Sequence, residues 1–77
     1  MSLRTRTIQW CEGKILSELS KRQEITTYLA LSALVLKEVR SIEEQHNLDI
    51  ALQYLLSKKQ IVQQKDHDGF TIYKLAA

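Results

Sequence analysis

The 77-residue sequence contains few residues that interrupt secondary structure or cross-link a chain: no proline, two glycines and one cysteine. A low content of proline and glycine favours helix over loop. Because only Gly13 and Gly69 are available, no glycine-rich phosphate-binding loop or nucleophile elbow exists. A single cysteine, Cys11, excludes an intramolecular disulfide. This argues against a disulfide-stapled secreted domain, and a reducing cytoplasm is the expected compartment.

Long apolar runs and a strong charge excess are also absent. The longest apolar run covers residues 28–36 and contains Ser32, whereas a membrane helix needs about 20 residues. Residues 1–10 lack the apolar centre of a signal peptide. We therefore expect no membrane association. The net charge of +2 is smaller than the basic excess that many DNA-binding domains carry.

The composition that remains is that of a folded protein, with 44% hydrophobic and 26% charged residues. Without a repeat, a linker or a low-complexity run, residues 1–77 are predicted to form one domain. A chain this short buries only about 60–65% of the surface that its unfolded form exposes. Its stability margin is therefore small, and self-association as a homodimer is expected.

Apolar periodicity predicts a first helix over residues 7–20. Its inner stripe consists of Ile8, Cys11, Ile15, Leu16 and Leu19. On this stripe Cys11 is expected to be a small core residue rather than a nucleophile. Trp10 points to the opposite side, where Leu3 also lies if the helix extends that far back. These two residues form a candidate anchor for a protein partner.

A second helix is predicted over residues 25–39, because Ser20 and Gln23 have the spacing of a capping box that marks a stop and restart near Lys21. This helix is apolar nearly all round. One side carries Tyr28, Leu29, Val35, Leu36 and Val39, and the other carries Leu31 and Leu34. Such a helix is either central in its own domain or shared with a partner.

The third helical segment begins at a clearer signal, the capping box of Ser41 and Glu44. Asn47 and Asp49 offer a second break, so the segment is either one helix over residues 42–59 or a short helix followed by another that starts at Ile50. Both alternatives share one inner stripe, which consists of Leu48, Ala51, Leu52, Leu55 and Leu56.

The last segment is typical of a β-hairpin. Residues 61–65 and 70–75 are rich in β-branched and aromatic side chains. Between them, Asp68 and Gly69 supply the positive φ that tight hairpin turns need.

Three helices and a hairpin in so short a chain are the outline of a winged helix-turn-helix domain. Residues 51–75 resemble the end of this family, where an A-L-x-x-L-L helix runs through a short lysine-containing turn into strand, wing tip and strand. The upstream part fits by element order alone. The resemblance implies an α+β fold, mostly α, with three helices followed by a two-stranded β-hairpin wing.

The resemblance also implies binding of double-stranded DNA through the third helix, with the wing on the backbone. Carried onto this chain, the implied contacts are Ile50, Gln53, Tyr54, Ser57, Lys58, Lys65 and His67. Gln53 can pair with adenine, and Ile50 can touch a thymine methyl group. Lysines and His67 can meet phosphates. The expected function is that of a small transcription-associated regulator.

A second hypothesis is a winged-helix module that binds protein and not DNA. The centre of the reading face has no arginine or lysine, and the wing tip carries Asp66 and Asp68, which repel phosphate. The candidate partner contacts are Leu3, Trp10, Leu31 and Leu34, with the face around Ile50 and Tyr54 as an alternative. The basic residues Arg4, Arg6, Lys14, Lys21 and Arg22 are either a track for phosphates or an ordinary solvated face.

Catalysis is not expected. The only histidines, His46 and His67, have no metal-ligand spacing with Cys11, Asp66 or Asp68. The polar residues of the hairpin tip are expected to be mostly exposed, which does not favour acid–base catalysis there. We therefore predict neither an enzyme nor a cofactor.

Overall fold

Helices and a small sheet alternate along residues 5–38 and 40–76, the ranges that the computed structural model describes. The elements are α1 (Ile8–Arg22), β1 (Glu24–Thr26), α2 (Tyr28–Leu36), α3 (Ile42–Ser57), β2 (Ile61–Lys65) and β3 (Thr71–Leu75). All strand pairs are antiparallel, in the order β1-β3-β2. The predicted class, α+β and mostly helical, is confirmed. None of the described helices is long and apolar enough to cross a bilayer.

The sheet corrects the prediction of three helices followed by a two-stranded hairpin. A strand, β1, lies between the first two helices and pairs with β3, with Ile25 opposite Tyr73. The pairing continues at Thr27, whose N–H donates to the Thr71 carbonyl at 2.7 Å. The sheet therefore has three strands. Three residues are too few to show a period of two, which is why the pattern along the sequence did not reveal β1.

Helix α1 is confirmed, and it ends slightly later than the predicted range of residues 7–20. The Thr7 hydroxyl caps its start by accepting from the Trp10 N–H at 3.0 Å. The predicted stop near Lys21 agrees with the end of α1 at Arg22 to within one residue, but the predicted restart as a helix at residue 25 is wrong, because β1 follows. Lys21 and Arg22 both lie within ion-pair distance of Glu18 one turn back. The helix ends at Gln23, whose positive φ of 70° turns the chain into β1.

Helix α2 is shorter than the predicted range of residues 25–39. It begins at Tyr28, where the Thr27 hydroxyl accepts from the Ala30 N–H at 3.2 Å. It ends at Leu36, and the next residue, Lys37, has a φ of 60° and donates its N–H to the Ala33 carbonyl. Val39 lies outside the described residues.

The third helical segment forms one continuous helix, α3, rather than two. Its start confirms the Ser41 cap, since the Ser41 hydroxyl accepts from the Glu44 N–H at 3.2 Å. The two side chains that suggested a break are engaged elsewhere. Asn47 donates its amide to the Arg6 carbonyl at 2.9 Å, and Asp49 accepts from the Tyr28 hydroxyl. Neither caps a new helix, so α3 runs on to Ser57.

The two capping-box motifs predict different mutational effects. Ser41→Ala is expected to lower the free energy of unfolding by about 1 kcal/mol, or roughly 4–8 °C in Tm for a domain of this size. Ser20→Ala, in the exposed last turn of α1, should stay within about 0.5 kcal/mol. Thermal unfolding followed by circular dichroism measures both. Equal losses would contradict the assignment of Ser41 as the helix cap.

The predicted β-hairpin is confirmed. Its turn is built by Asp66, whose carboxylate accepts from the backbone N–H groups of Asp68 and Phe70 at 2.9 Å each. The Asp66 N–H in turn donates to the Phe70 carbonyl at 2.9 Å. Gly69 adopts the positive φ of 89° that the turn requires.

The core lies between the helices and one face of the sheet. Its buried apolar residues are Cys11, Ile15, Leu19, Ile25, Leu31, Val35, Leu36, Leu48, Ala51, Leu52, Leu55, Ile61 and Tyr73. The core placement of Cys11 is confirmed, and burial raises the pKa of its thiol. Leu31 is also fully buried, which corrects its placement on a free side of the second helix. The strongly exposed leucine of α2 is Leu29.

Candidate nucleic-acid interface

The outward side of α3 lies next to the start of the hairpin. Gln53, Tyr54 and Ser57 are exposed on α3, and Ile50 is half-buried. Lys58 follows the helix, and Lys65 and His67 are exposed on the wing. We call these seven residues the α3–wing surface. The structure thus places six of the seven predicted DNA contacts in solvent.

A tight helix end fixes the wing relative to α3. Lys59 has a φ of 61° and donates its N–H to the Leu56 carbonyl at 3.1 Å. Gln60 donates its N–H to the Leu55 carbonyl at 3.0 Å. These two hydrogen bonds are those of a Schellman motif, with a lysine at the left-handed position that glycine usually takes. The chain therefore passes from helix to strand within three residues.

Lys58 is held between two neighbours. Its ammonium lies 3.3 Å from the Glu12 carboxylate of α1 and 5.8 Å from the centre of the Tyr54 ring. The lysine side chain is still 58% exposed, so the ion pair with Glu12 is a weak surface contact. A phosphate can compete with Glu12 for this ammonium.

The charges on and around the α3–wing surface are mixed. Three lysines, Lys58, Lys59 and Lys65, are exposed near the C-terminal end of α3 and on β2. Four carboxylates accompany them: Glu43 and Asp49 on the N-terminal half of α3, and Asp66 and Asp68 on the wing. Positive charge is thus concentrated where α3 passes into β2.

Asp49 also modifies a neighbouring tyrosine. It accepts a hydrogen bond from the Tyr28 hydroxyl, which in turn accepts one from the Gln45 amide. Burial, together with the Asp49 carboxylate, raises the pKa of Tyr28. This chain of hydrogen bonds ties the start of α2 to the middle of α3.

A solvent-open groove of about 520 Å³ separates α3 from β2. Its lining consists of Gln53, Leu56, Lys59, Ile61, Val62, Gln63 and Ala76. The groove joins the α3–wing surface at Gln53 and continues along the strand.

Among the described residues, the predicted protein-binding side chains Trp10, Leu31 and Leu34 do not form one surface. Trp10 is 42% exposed, and the Arg6 guanidinium carbon lies 5.6 Å from its ring centre. Leu34 is half-buried in a separate groove of about 290 Å³ with basic rims. Leu31 is buried in the core and cannot touch a partner. Leu3 lies outside the described residues.

A buried ion-pair cluster, which no sequence motif indicated, ties the start of the chain to α2 and α3. Arg6 donates to Glu44 through its backbone N–H at 2.6 Å and through Nη2 at 2.8 Å. The same guanidinium donates to the carbonyl of Leu36, the last residue of α2, and to that of Glu38 just beyond it. Arg40 completes the cluster, with its Nη2 at 2.9 Å from Glu44.

Glu44 is the centre of this cluster and is only 2% exposed. Hydrogen bonds from the Arg6 side chain, with further bonds from the Arg6 backbone and from Arg40, lower the pKa of Glu44 to about 2. The carboxylate is therefore ionised at neutral pH and orients α3 against the end of α2. Both alternatives predicted for Arg6, a phosphate track or a solvated face, are wrong, since its side chain is only 14% exposed.

The other predicted basic residues of α1 are also engaged. Lys14 and Lys21 lie 3.5 Å from the Glu18 carboxylate, and Arg22 lies 3.1 Å away. The hydrogen bond from Arg22 is the main cause that lowers the pKa of Glu18. Arg4 lies outside the described residues. Lys21 and Arg22 remain 64% and 51% exposed, so their ion pairs with Glu18 are surface contacts.

Nothing outside the chain itself identifies the activity of this surface. Comparison with known protein families, with curated proteins and with solved structures finds no match. Within residues 5–38 and 40–76, no three side chains of histidine, cysteine, aspartate or glutamate gather as metal ligands. The geometry of the α3–wing surface is therefore the basis on which a function can be assigned.

Proposed function

We propose that the chain is a winged-helix domain that binds double-stranded DNA and acts as a small transcription-associated regulator. The observation that carries this proposal is the sequence of elements from α2 onward. Two helices, α2 and α3, are joined by a short turn, and a hairpin follows α3 directly. In helix-turn-helix proteins the second helix of such a pair enters the major groove.

Contact with DNA would use the C-terminal half of α3. The major groove is about 12 Å wide and admits an α-helix. Gln53 is exposed there, and its amide can form paired hydrogen bonds with adenine. Lys58 and Lys65 flank that half of the helix and would fix the domain on phosphates. Glu43 lies near the start of α3, whereas Asp49 lies at its middle, one turn before Gln53.

The proposal is tested by fluorescence anisotropy with labelled random duplex DNA at low and near-physiological salt. Binding in the micromolar range that weakens steeply with salt is expected. Lys58→Gln combined with Lys65→Gln should reduce the slope of log affinity against log salt by roughly 2, about 0.9 for each phosphate that is no longer neutralised.

The matched control is Lys21→Gln combined with Arg22→Gln, which removes two positive charges from the exposed end of α1. It should leave the salt slope nearly unchanged. Absence of binding at low salt would refute the DNA proposal. An unchanged slope in the double variant would refute the placement of its contacts.

A second candidate, a protein-binding winged-helix module, is favoured by two features of the same region. Carboxylates on and around the α3–wing surface outnumber lysines there, and large apolar side chains are exposed on α3 and on the wing. Ile42 is 89% exposed, Phe70 is 54% exposed and Tyr54 is 49% exposed. The anisotropy titration separates the candidates, because this module would not bind duplex DNA even at low salt.

A further inference from the structure

The outer edge of β2 carries unpaired backbone groups. The Asp66 N–H donates to the Phe70 carbonyl, and the Ala76 N–H donates to the Gln60 carbonyl. Even-numbered positions of this strand therefore bond to β3, and the alternation of an antiparallel ladder turns the odd-numbered ones away. Ile61, Gln63 and Lys65 thus point N–H and C=O outward. No described strand pairs with this edge.

The two edge strands of the sheet differ in how well they are protected against pairing with another strand. β1 has three residues, and its outward position Glu24 carries a charge. β2 has five residues and is uncharged from Ile61 to Gln64, with Val62 42% exposed. Natural edge strands are protected by shortness, charge or proline. Only Lys65, at one end, protects β2, so this edge is the one open to strand pairing.

We infer that two copies of this chain pair through their β2 edges, antiparallel and centred on Gln63. Gln63 then faces the partner's Gln63, and Ile61 faces the partner's Lys65. All three facing pairs are outward-pointing residues, so each pair exchanges two backbone hydrogen bonds. The two sheets become one continuous sheet.

The charges near the β2 edge favour a second copy of this chain as the partner, and they favour antiparallel pairing. Antiparallel pairing brings the acidic wing tip of one copy, with Asp66 and Asp68, beside the partner's Lys58 and Lys59. The twofold axis repeats this contact at the other end. Parallel pairing would place like charges together. The groove of about 520 Å³ between α3 and β2 is lined in part by Ile61 and Gln63 of this edge.

Sedimentation equilibrium of the full chain without nucleic acid tests the inference. The average mass is expected to rise with concentration toward twice that of the monomer. Gln63→Pro removes an outward N–H, which a free edge strand tolerates, and should weaken dimerisation at least tenfold. Gln63→Ala keeps the N–H and should change the dissociation constant less than twofold. Circular dichroism confirms that each variant is folded.

A charge exchange tests the register. The Gln63→Lys variant and the Gln63→Glu variant should each be monomeric when studied by itself. In either homodimer, like charges would face each other across the twofold axis. An equimolar mixture should recover the dimer. A wild-type chain that remains monomeric at every concentration, or a dimer indifferent to the proline and charge variants, would overturn the inference. Because no DNA is present, this experiment tests the dimer separately from the anisotropy titration, although both proposals use Lys58 and Lys65.

Discussion

Leu31→Ala is expected to lower the free energy of unfolding by about 2–5 kcal/mol, whereas Leu29→Ala should change it by less than about 0.5 kcal/mol. The same substitution is made twice in α2, two positions apart, so differences in helix propensity cancel. Leu31 is fully buried and Leu29 is 80% exposed. The loss at Leu31 approaches the whole stability of a small domain. Urea unfolding followed by circular dichroism measures both variants.

This pair of variants also separates a core leucine from a partner contact. If Leu31 served a partner surface, as the sequence pattern allowed, its alanine variant would remain stable and lose only self-association. Sedimentation of both variants therefore accompanies the unfolding curves. A stable Leu31→Ala chain would contradict the core position of this residue.

Glu44→Gln is expected to lower Tm at pH 7 by on the order of 10 °C, because it leaves buried arginine donors without their carboxylate. Arg6 and Arg40 both lose their shared partner. The pKa of Glu44 in the folded chain is about 2, below the roughly 4.3 of an unfolded glutamate. Its stabilising effect is therefore complete above about pH 4.3 and is lost as pH falls toward 2.

The difference in Tm between the wild-type chain and Glu44→Gln should accordingly be largest at pH 5 and above, and should shrink toward pH 2. Glu43→Gln is the matched control, because it removes the same charge from the adjacent, exposed position of α3. The pKa of Glu18 is also lowered, so the stability of both variants should still fall somewhat at low pH. A constant difference across this pH range would show that ionisation of Glu44 does not stabilise the fold.

Elements specified by nearby residues could be predicted from the sequence. The Ser41 cap and the start of α3 depend on residues three positions apart, and the hairpin turn depends on Asp66 and Gly69. The inner stripe of α1 follows from helical spacing alone. In each case the deciding interaction lies within one turn of helix or one tight turn.

Features held by distant residues could not be predicted in the same way. β1 exists because Ile25 meets Tyr73 in the sheet, and in the sequence Ile25 is one more apolar residue before a helix. The Ser20 motif matched a helix start, yet Glu18 and Arg22 carry α1 past it. Local patterns do not contain these contacts.

The same distinction between nearby and distant contacts applies to the candidate site. Exposure of Gln53, Tyr54 and Ser57 follows from the period of α3, so the outward face could be predicted. The pairing of Arg6 with Glu44 spans 38 positions, and it removes Arg6 from the set of cations available to phosphates. The dimer edge also depends on strand order, which no single segment of the sequence reveals.

The strand order also has a consequence for synthesis on the ribosome. β3 is the last of the described elements along the chain, yet it is the central strand, and both β1 and β2 bond only to it. A nascent chain that has passed Thr26 holds an edge strand with nothing to pair with until Tyr73 emerges. Helices can form earlier from local contacts, but the sheet closes only after β3 has emerged. A ribosome stalled before Thr71 would therefore present a helical, half-finished core with exposed leucines, the kind of surface that chaperones bind.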